Sequence, residues 1–263
     1  MIKYTFLWML IPVSMAFFLV GLYKNFVSKI GHILWVNDPG APEAGSRSAR
    51  LRLPFPAGET VFREAAIQKR IADRSTFLWV RHLLIFFGFI SLFIVSQFYA
   101  LLTEVCPIGY FVNGTGRGYL KFGLEFTGLV LLAGLTLGLI HRLVYGEQEK
   151  TFVELRLLFL LWFITVTGFL TESLRLATEP HARFIRYSFV AGAAAQIMRA
   201  YHWNWNSIHT LVWTIHVVTT AFFFGYLPFT KFIHIFAAPL GRSITMGQDT
   251  QKLKREKIAE GLL

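Results

Sequence analysis

Cysteine is nearly absent from this chain of 263 residues, because Cys106 is its only one. One thiol cannot close an internal disulfide bond, and an iron–sulfur cluster held by the protein would need several thiolates. The sequence also lacks the CxxC and HExxH motifs, a phosphate-binding loop and a dinucleotide-binding fingerprint. A disulfide framework and a protein-bound iron–sulfur cluster are therefore excluded.

Charged residues are scarce as well. They make up 16% of the chain, whereas a soluble domain carries about 25%. Apolar residues reach 54%, and the mean hydropathy is +0.51. The 27 Phe and 7 Trp residues are typical of surfaces that face lipid and its interface with water. The composition predicts an integral membrane protein.

Five stretches are long and apolar enough to cross a hydrocarbon core about 30 Å thick. They cover, approximately, residues 4–26, 77–101, 122–145, 152–177 and 208–238. The first is longer than the apolar core of a usual signal peptide and lacks a small-x-small cleavage site, so it is expected to be retained. The sequence predicts an all-α integral membrane protein, with five transmembrane helices in a single membrane domain, residues 1–263.

Lysine and arginine are distributed unequally between the two sides of this arrangement. Nineteen lie on the side of loop 28–76 and tail 239–263, and seven lie on the side of loop 178–206. Positive residues accumulate in cytoplasmic loops, so the N-terminus is expected outside and the C-terminus in the cytoplasm. The net charge of +11 then reflects topology, and no nucleic-acid partner is expected.

Three shorter patterns predict local structure. The basic, helix-prone segment 64–74 either anchors on the membrane lipid surface or docks a cytoplasmic partner protein. The outside loop contains an alanine-rich, helix-prone stretch over 184–201, followed by aromatic residues suited to the membrane interface. Gly134 and Gly138 form a small-xxx-small pattern, which predicts a close helix contact.

Two histidines, His216 and His234, lie eighteen residues apart on the last predicted span. In one α-helix this spacing is about five turns and about 27 Å, which would place both imidazoles on one face, near opposite sides of the membrane. A kink at Pro228, which lies between them, would shift their phase. Side chains that ionise or bind metals are costly in hydrocarbon, so such a pair favours a functional role. The spacing predicts haem.

The depth of each histidine indicates which pairs could share a haem, because two axial imidazoles come from opposite sides of the ring. His82 lies five residues, and His234 four residues, from the cytoplasmic ends of their spans, so these two match in depth. His141 has a similar depth. It could ligate instead, contact a haem propionate together with Arg142, or extend to water as an interfacial histidine.

The role of His216 stays open on sequence alone, because no histidine lies at its depth on the other spans. It could be a haem ligand, act on a quinone or a proton, or be a structural histidine. His209 and His202 precede it on the same stripe of the helix and are suited to line an outer site. The candidate quinone-site groups are His209, Lys121, Glu172 and His216, although charged residues at span ends often extend to water instead.

Two segments carry a resemblance to a known family. The segment Pro228–Ile235, with His216 eighteen residues before His234, resembles the last helix of the gamma subunit of respiratory nitrate reductase. The segment around His82, Trp79–Phe89, and the basic segment 68–75 before it are similar to the branch of that family found in heterodisulfide-reductase-like and sulfite-reductase-associated membrane complexes.

This resemblance implies a five-helix cytochrome b in a prokaryotic plasma membrane. Such a protein would be the quinone-reactive electron-transfer subunit of a respiratory oxidoreductase complex, working with a cytoplasmic iron–sulfur partner. By the same resemblance, His82 and His234 would hold the haem b on the cytoplasmic side, and His216 one face of an outer haem. The gamma-subunit type has a second histidine ten residues after the first, where this chain has Leu92.

The departure at Leu92 leaves the number of haems open. One haem b is expected, and two are allowed if another group replaces the missing ligand. The leading hypothesis is a haem b subunit that exchanges electrons between a quinone and an iron–sulfur partner. The alternative is a haem-free or single-haem membrane anchor without its own quinone site.

Overall fold

The computed structural model describes residues 5–27, 73, 75–145, 148–179 and 184–230. The regular structure within these ranges is helical throughout, which confirms the predicted all-α class for this part of the chain. The α-helices, in chain order, are α1 (Thr5–Leu22), α2 (Thr76–Ala100), α3 (Gly109–Val112), α4 (Thr115–Tyr145), α5 (Gln148–Thr178), α6 (Phe189–Arg199) and α7 (Trp205–Tyr226). π-helical turns follow two of them, Tyr23–Val27 and Leu101–Val105, and 3-10 turns cover Ile185–Tyr187 and Leu227–Phe229.

Four helical segments in the described part are long and apolar enough to cross a membrane. They are Thr76–Val105, Thr115–Tyr145, Leu155–Thr178 and Trp205–Phe229. The first predicted span, residues 4–26, forms α1 and the turn after it, and it is not among these four. A bundle of five membrane spans therefore stays a prediction.

Helix α4 begins at Thr115, about two turns before the predicted boundary at residue 122. The predicted span begins at residue 122 because the apolar run begins there. Lys121 nevertheless belongs to α4 and is buried, because the Glu172 carboxylate of α5 neutralises its charge. The residues around Lys121 do not reveal Glu172 as its partner, so the apolar run alone predicts too late a start for α4.

Helix α7 ends as an α-helix at Tyr226, and a 3-10 turn over Leu227–Phe229 follows it. Thr230 then takes an extended conformation, with ψ at 170°. The helix of His216 is therefore interrupted before His234, at the proline for which the sequence analysis allows a kink. Pro228 explains the break, because its ring has no N–H and clashes with the carbonyl four residues earlier in an α-helix.

The chain divides into two compact units. The first consists of residues 1–10 and 74–223, and the second of residues 11–73 and 224–263. In the second unit, the close neighbours of Gly21 are Pro228 and Phe229, and Asn25 Nδ2 donates to the Pro228 carbonyl at 3.4 Å. The end of α1 is thus fixed against the turn that Pro228 forms.

Glycines hold α2 and α4 of the first unit close together. A Cβ on Gly88 would lie 2.6 Å from the Leu131 backbone, and one on Gly134 would lie 2.8 Å from Ile85 N. Gly134 thus makes the close helix contact that the small-xxx-small pattern predicts. Gly138 lies one turn on, where a Cβ would have ordinary contacts, the nearest to Ile85 at 3.6 Å.

We expect Gly88→Ala to weaken this contact, because the added methyl would overlap the α4 backbone, which cannot move aside as a side chain can. Overpacking of this kind costs about 1–3 kcal/mol. The measurement is denaturant unfolding of the purified protein in detergent. Gly109→Ala is the matched control, since a Cβ there meets nothing within 4 Å; equal stability of the two variants would contradict the packing argument.

Helix α6 lies within the segment that its alanine-rich sequence predicts to be helical. Ala191 and Ala195 are fully buried and form a cluster with Leu176 and Ala177 of α5. The Arg199 guanidinium donates to the Leu176 carbonyl, one of the last carbonyls of α5 that has no partner within its own helix. The short helix is therefore held along its length against the C-terminal end of α5.

Candidate functional site

Glu172 on α5 lies at the centre of a group of charged side chains. Its Oε1 accepts from Lys121 Nζ of α4 at 2.6 Å. Arg175 binds the same carboxylate with two nitrogens, Nε to Oε2 and Nη2 to Oε1, both at 2.8 Å. Ser188 Oγ adds a longer contact to Oε1 at 3.4 Å. All four groups lie where the first unit brings the start of α4 and the end of α5 together.

Lys121 and Glu172 form an ion pair in which the lysine is buried and the carboxylate is half-buried. Lys121 is only 9% exposed, and its partner lies 51 residues away in the sequence. Arg175 also joins Glu179 through Nη1 at 2.7 Å, and the Glu179 side chain is 59% exposed. The charged cluster, defined as Lys121, Glu172, Arg175 and Glu179, thus extends from the protein interior to its surface.

A cavity of about 260 Å³ lies beside the charged cluster. Its walls combine three cationic side chains, one carboxylate and several apolar groups. The lining residues are Val112, Asn113, Arg117, Lys121, Arg175, Leu176, Glu179, Phe184 and Ile185. Polar and charged groups thus make up five of the nine lining residues, and four apolar side chains complete the wall.

His209 of α7 belongs to the same end of the first unit. It lies close enough to Arg175, Glu172 and Glu179 to interact with them electrostatically. The structure therefore brings together three of the residues that the sequence analysis offered as quinone-site candidates: His209, Lys121 and Glu172. His202 lies before α7 and is exposed.

Glu125 is a buried polar residue of α4 that the sequence analysis missed. Its carboxylate accepts from Val190 N at 2.6 Å and from Ala191 N at 3.1 Å, and the residue is 5% exposed. It thus caps the start of α6, where backbone N–H groups have no partner within the helix. Its signal in the sequence was a single acidic residue within an apolar span, one turn after Lys121, because such a residue needs a polar partner.

His216 of α7 is half-buried and contacts Thr167 of α5, with Nδ1 and Oγ1 3.0 Å apart. The Thr167 hydroxyl also donates to the carbonyls of Phe163 and Ile164, at 2.9 and 3.0 Å. Since a hydroxyl has one proton, this arrangement favours Nδ1–H of His216 as the donor to Oγ1. The lone pair then lies on Nε2, as in a histidine that binds a metal and donates its other N–H to a neighbour.

Gly168 makes room for the His216 imidazole. A Cβ at this position would lie 3.2 Å from Cε1 of the ring, which is tighter than ordinary contact. The adjacent residue Phe169 packs on Gly128 of α4. His216 therefore lies at the depth of Gly128.

The opposite position on α2 at that depth is Leu92. Helix α4 contacts α2 on both sides of this level: Leu131 packs on Gly88, and a Cβ on Gly123 would lie 3.3 Å from Val95. Leu92 lies between these contacts in the sequence of α2, so its depth is similar to that of His216. Within the described ranges, no second histidine lies at this level.

Helix α7 packs less closely on the other helices of the first unit than they pack on one another. The most closely packed helix pairs of the described chain are α2–α4, α5–α6 and α4–α5, and α7 is not among them. Its contacts with the rest of the unit include the ring of Phe223, which meets Phe89 edge-on at a centroid distance of 6.2 Å.

His82 and His141, the other candidate ligands that the structure describes, lie at the opposite end of the first unit from the charged cluster. His82 on α2 is half-buried. His141 stacks on Phe77 at 5.5 Å and packs against Tyr145 at 5.3 Å, so aromatic contacts account for its position. His234 lies outside the described residues, and its pairing with His82 stays a prediction.

Two arginines at this end fit an anionic group. Arg81 lies close enough to Arg142 for the two like charges to interact. Arg81 Nη1 is buried and has no hydrogen-bond partner among the residues that the structure describes. Haem propionates are a pair of carboxylates, so these cations suit the propionate role assigned to Arg142 and add Arg81 to it. The described residues contain no group of three or more His, Cys, Asp or Glu side chains that could hold a metal ion by themselves.

Comparison with known proteins gives relatives of one kind. The chain is 26% identical over 246 residues to a subunit of the dihydromethanophenazine:CoB–CoM heterodisulfide reductase of Methanosarcina barkeri, which covers 87% of this chain and 86% of the relative. The corresponding protein of Methanosarcina acetivorans is 23% identical over 254 residues, with the same coverage of 87% and 86%. No protein-family model and no solved structure matches the chain.

The relatives support one part of the expected resemblance. They agree with the heterodisulfide-reductase-like branch, while the likeness to the nitrate reductase gamma subunit stays a prediction. Together with the apolar helices, they support a multi-pass membrane protein.

Proposed function

We propose that this protein is the haem b membrane subunit of a redox complex. It takes electrons from a reduced, lipid-soluble carrier of the quinol type and passes them to a cytoplasmic iron–sulfur partner. The observation that carries this proposal is similarity over most of both chains to subunits of a reductase whose name joins dihydromethanophenazine to a heterodisulfide. A dihydro compound is the reduced form of a carrier, so this name favours carrier oxidation as the direction of electron flow.

The geometry at His216 supports haem binding. Thr167 occupies Nδ1, Gly168 gives the ring space, and Nε2 is left as the coordinating atom. A bound haem would accept electrons one at a time, and the protein would set its potential through the axial ligand and burial. Because α2 has Leu92, and no histidine, at a depth similar to that of His216, one haem held by His82 and His234 remains the alternative to two.

The cavity beside the charged cluster supports carrier binding at the end of the unit where α5 terminates. Lys121, Arg175 and Glu179 supply polar groups on its wall, and Glu172 holds the two cations in place behind it. Under the proposed topology, with five spans and the N-terminus outside, this end faces the outside of a prokaryotic plasma membrane. The ring of a carrier would enter from the lipid and be oriented by these side chains.

Visible spectroscopy of the purified full chain tests the proposal. We expect a Soret band and split α and β bands after dithionite reduction, with one or two haems per chain by pyridine haemochrome assay. Reduction of the same bands by menadiol or a dihydrophenazine would show access of a carrier to the haem. A protein that folds and shows no haem bands would be the haem-free anchor instead.

A further inference from the structure

We propose that Glu179 accepts the protons released when the carrier is oxidised in the cavity and passes them to water. The inference rests on the proposed function and deepens it by naming the proton acceptor. Oxidation of a quinol-type carrier releases protons as well as electrons, so a cavity walled mainly by cations and apolar groups needs an outlet for them.

Glu172 is not suited to this task, although it lies nearer the protein interior. Both of its oxygens already accept from charged donors, Lys121 at 2.6 Å and Arg175 at 2.8 Å. A proton on Glu172 would weaken these charge-assisted bonds and leave the buried Lys121 without its counter-charge. Glu172 therefore positions the cations and does not take up protons.

Glu179 has the features that Glu172 lacks. It is the one carboxylate among the described residues of the cavity wall. Its side chain is 59% exposed, and Arg175 Nη1 is its donor at 2.7 Å. A carboxylate offers about four lone-pair sites, so this contact leaves acceptor sites on Glu179. One side chain thus reaches both the cavity and the surrounding water.

The charged neighbours decide which groups can compete with Glu179. Arg175 on its own helix, and Arg117 and Lys121 on α4, share the cavity wall. Arginine does not release its proton in proteins, and Lys121 is held by Glu172. His209 of α7 lies within electrostatic range of Glu179, and it is the competing acceptor.

The proton and electron balance is simple. Each carrier molecule would give up two electrons and two protons, and a bound haem would supply the route by which the electrons leave one at a time to the iron–sulfur partner. At each proton transfer an O–H or N–H bond of the carrier breaks, and an O–H bond forms on the Glu179 carboxylate. That bond then breaks as the proton passes to water, which restores the carboxylate for the second proton.

The test is the rate of haem reduction by menadiol, followed by anaerobic stopped-flow absorbance with the full chain in detergent. Glu179→Gln removes the acceptor and keeps the shape of the side chain. General-base catalysis contributes 10²–10⁴-fold, and we expect at least a roughly 10²-fold slower reduction at saturating menadiol. The rate with dithionite should stay at its wild-type value, and the slower reduction by menadiol should persist when menadiol saturates the site. Added formate should restore part of the rate, and Glu179→Asp should retain most of it.

Glu104→Gln is the matched control, because Glu104 is also exposed and accepts a hydrogen bond from the neighbouring Thr103 hydroxyl. The inference is overturned if Glu179→Gln reduces haem at the wild-type rate, or if its effect is a loss of menadiol affinity alone. It is also overturned if His209→Gln shows the slow, formate-rescued phenotype instead. Absence of haem in the wild-type protein would remove the proposed function together with the inference, whereas normal haem reduction in Glu179→Gln would remove the inference alone.

Discussion

Replacing His216 by alanine is expected to remove one haem equivalent per chain. The imidazole would be the axial ligand, and its loss leaves the iron without a protein donor on that face. The measurement is haem content by pyridine haemochrome assay, together with the reduced α band. Thr167→Val should have a smaller effect, because it keeps the volume and removes the group that holds Nδ1. Loss of such a supporting contact lowers metal affinity by roughly 10-fold to 100-fold.

His202→Ala is the control for this series, since His202 is exposed and lies before α7. It should retain the full haem content. If His216→Ala keeps every haem of the wild-type protein, His216 is not a ligand, and His82 with His234 would be left as the pair to test. A wild-type content of one haem that survives the substitution would identify the single-haem alternative.

Replacing Glu172 by alanine should cause the largest loss of stability among the charged residues. The substitution leaves Lys121, which is 9% exposed, without its counter-charge and removes two bonds from Arg175. Breaking a buried ion pair from one side costs on the order of 3 kcal/mol. Denaturant unfolding in detergent, followed by circular dichroism, would measure the change.

A double variant separates this charge effect from a simple loss of packing. Lys121→Met combined with Glu172→Leu removes both partners and keeps most of their volume, so its stability should lie well above that of Glu172→Ala. Glu104→Ala is the surface control, for which we expect a change within about 0.5 kcal/mol. If the double variant is no more stable than Glu172→Ala, the unpaired lysine is not the cause of the loss.

The apolar helices could be predicted from sequence because each one corresponds to a single continuous run of apolar residues. Long apolar runs gave four of the segments that form membrane-length helices, and the alanine-rich stretch gave α6. Gly134 shows that a local small-residue pattern can also predict a contact, since only a close neighbour requires the missing Cβ.

The charged cluster could not be predicted in the same way. Lys121 and Glu172 are 51 residues apart, and Glu125 reaches a backbone amide 65 residues away. Each looks like an isolated charge in its own segment, and only the packing of α4 against α5 and α6 shows the partner. The end of α7 is a different case, because Pro228 marks the break in the sequence itself.

The contact between Glu125 and α6 also has a consequence for the order of assembly. The amides that satisfy this carboxylate, those of Val190 and Ala191, are synthesised well after α4. Until they arrive, α4 carries an acid with neither of its native donors, and α6 has its first amides uncapped. Insertion of α4 and docking of α6 are therefore steps of one process, in which the later segment completes the earlier one.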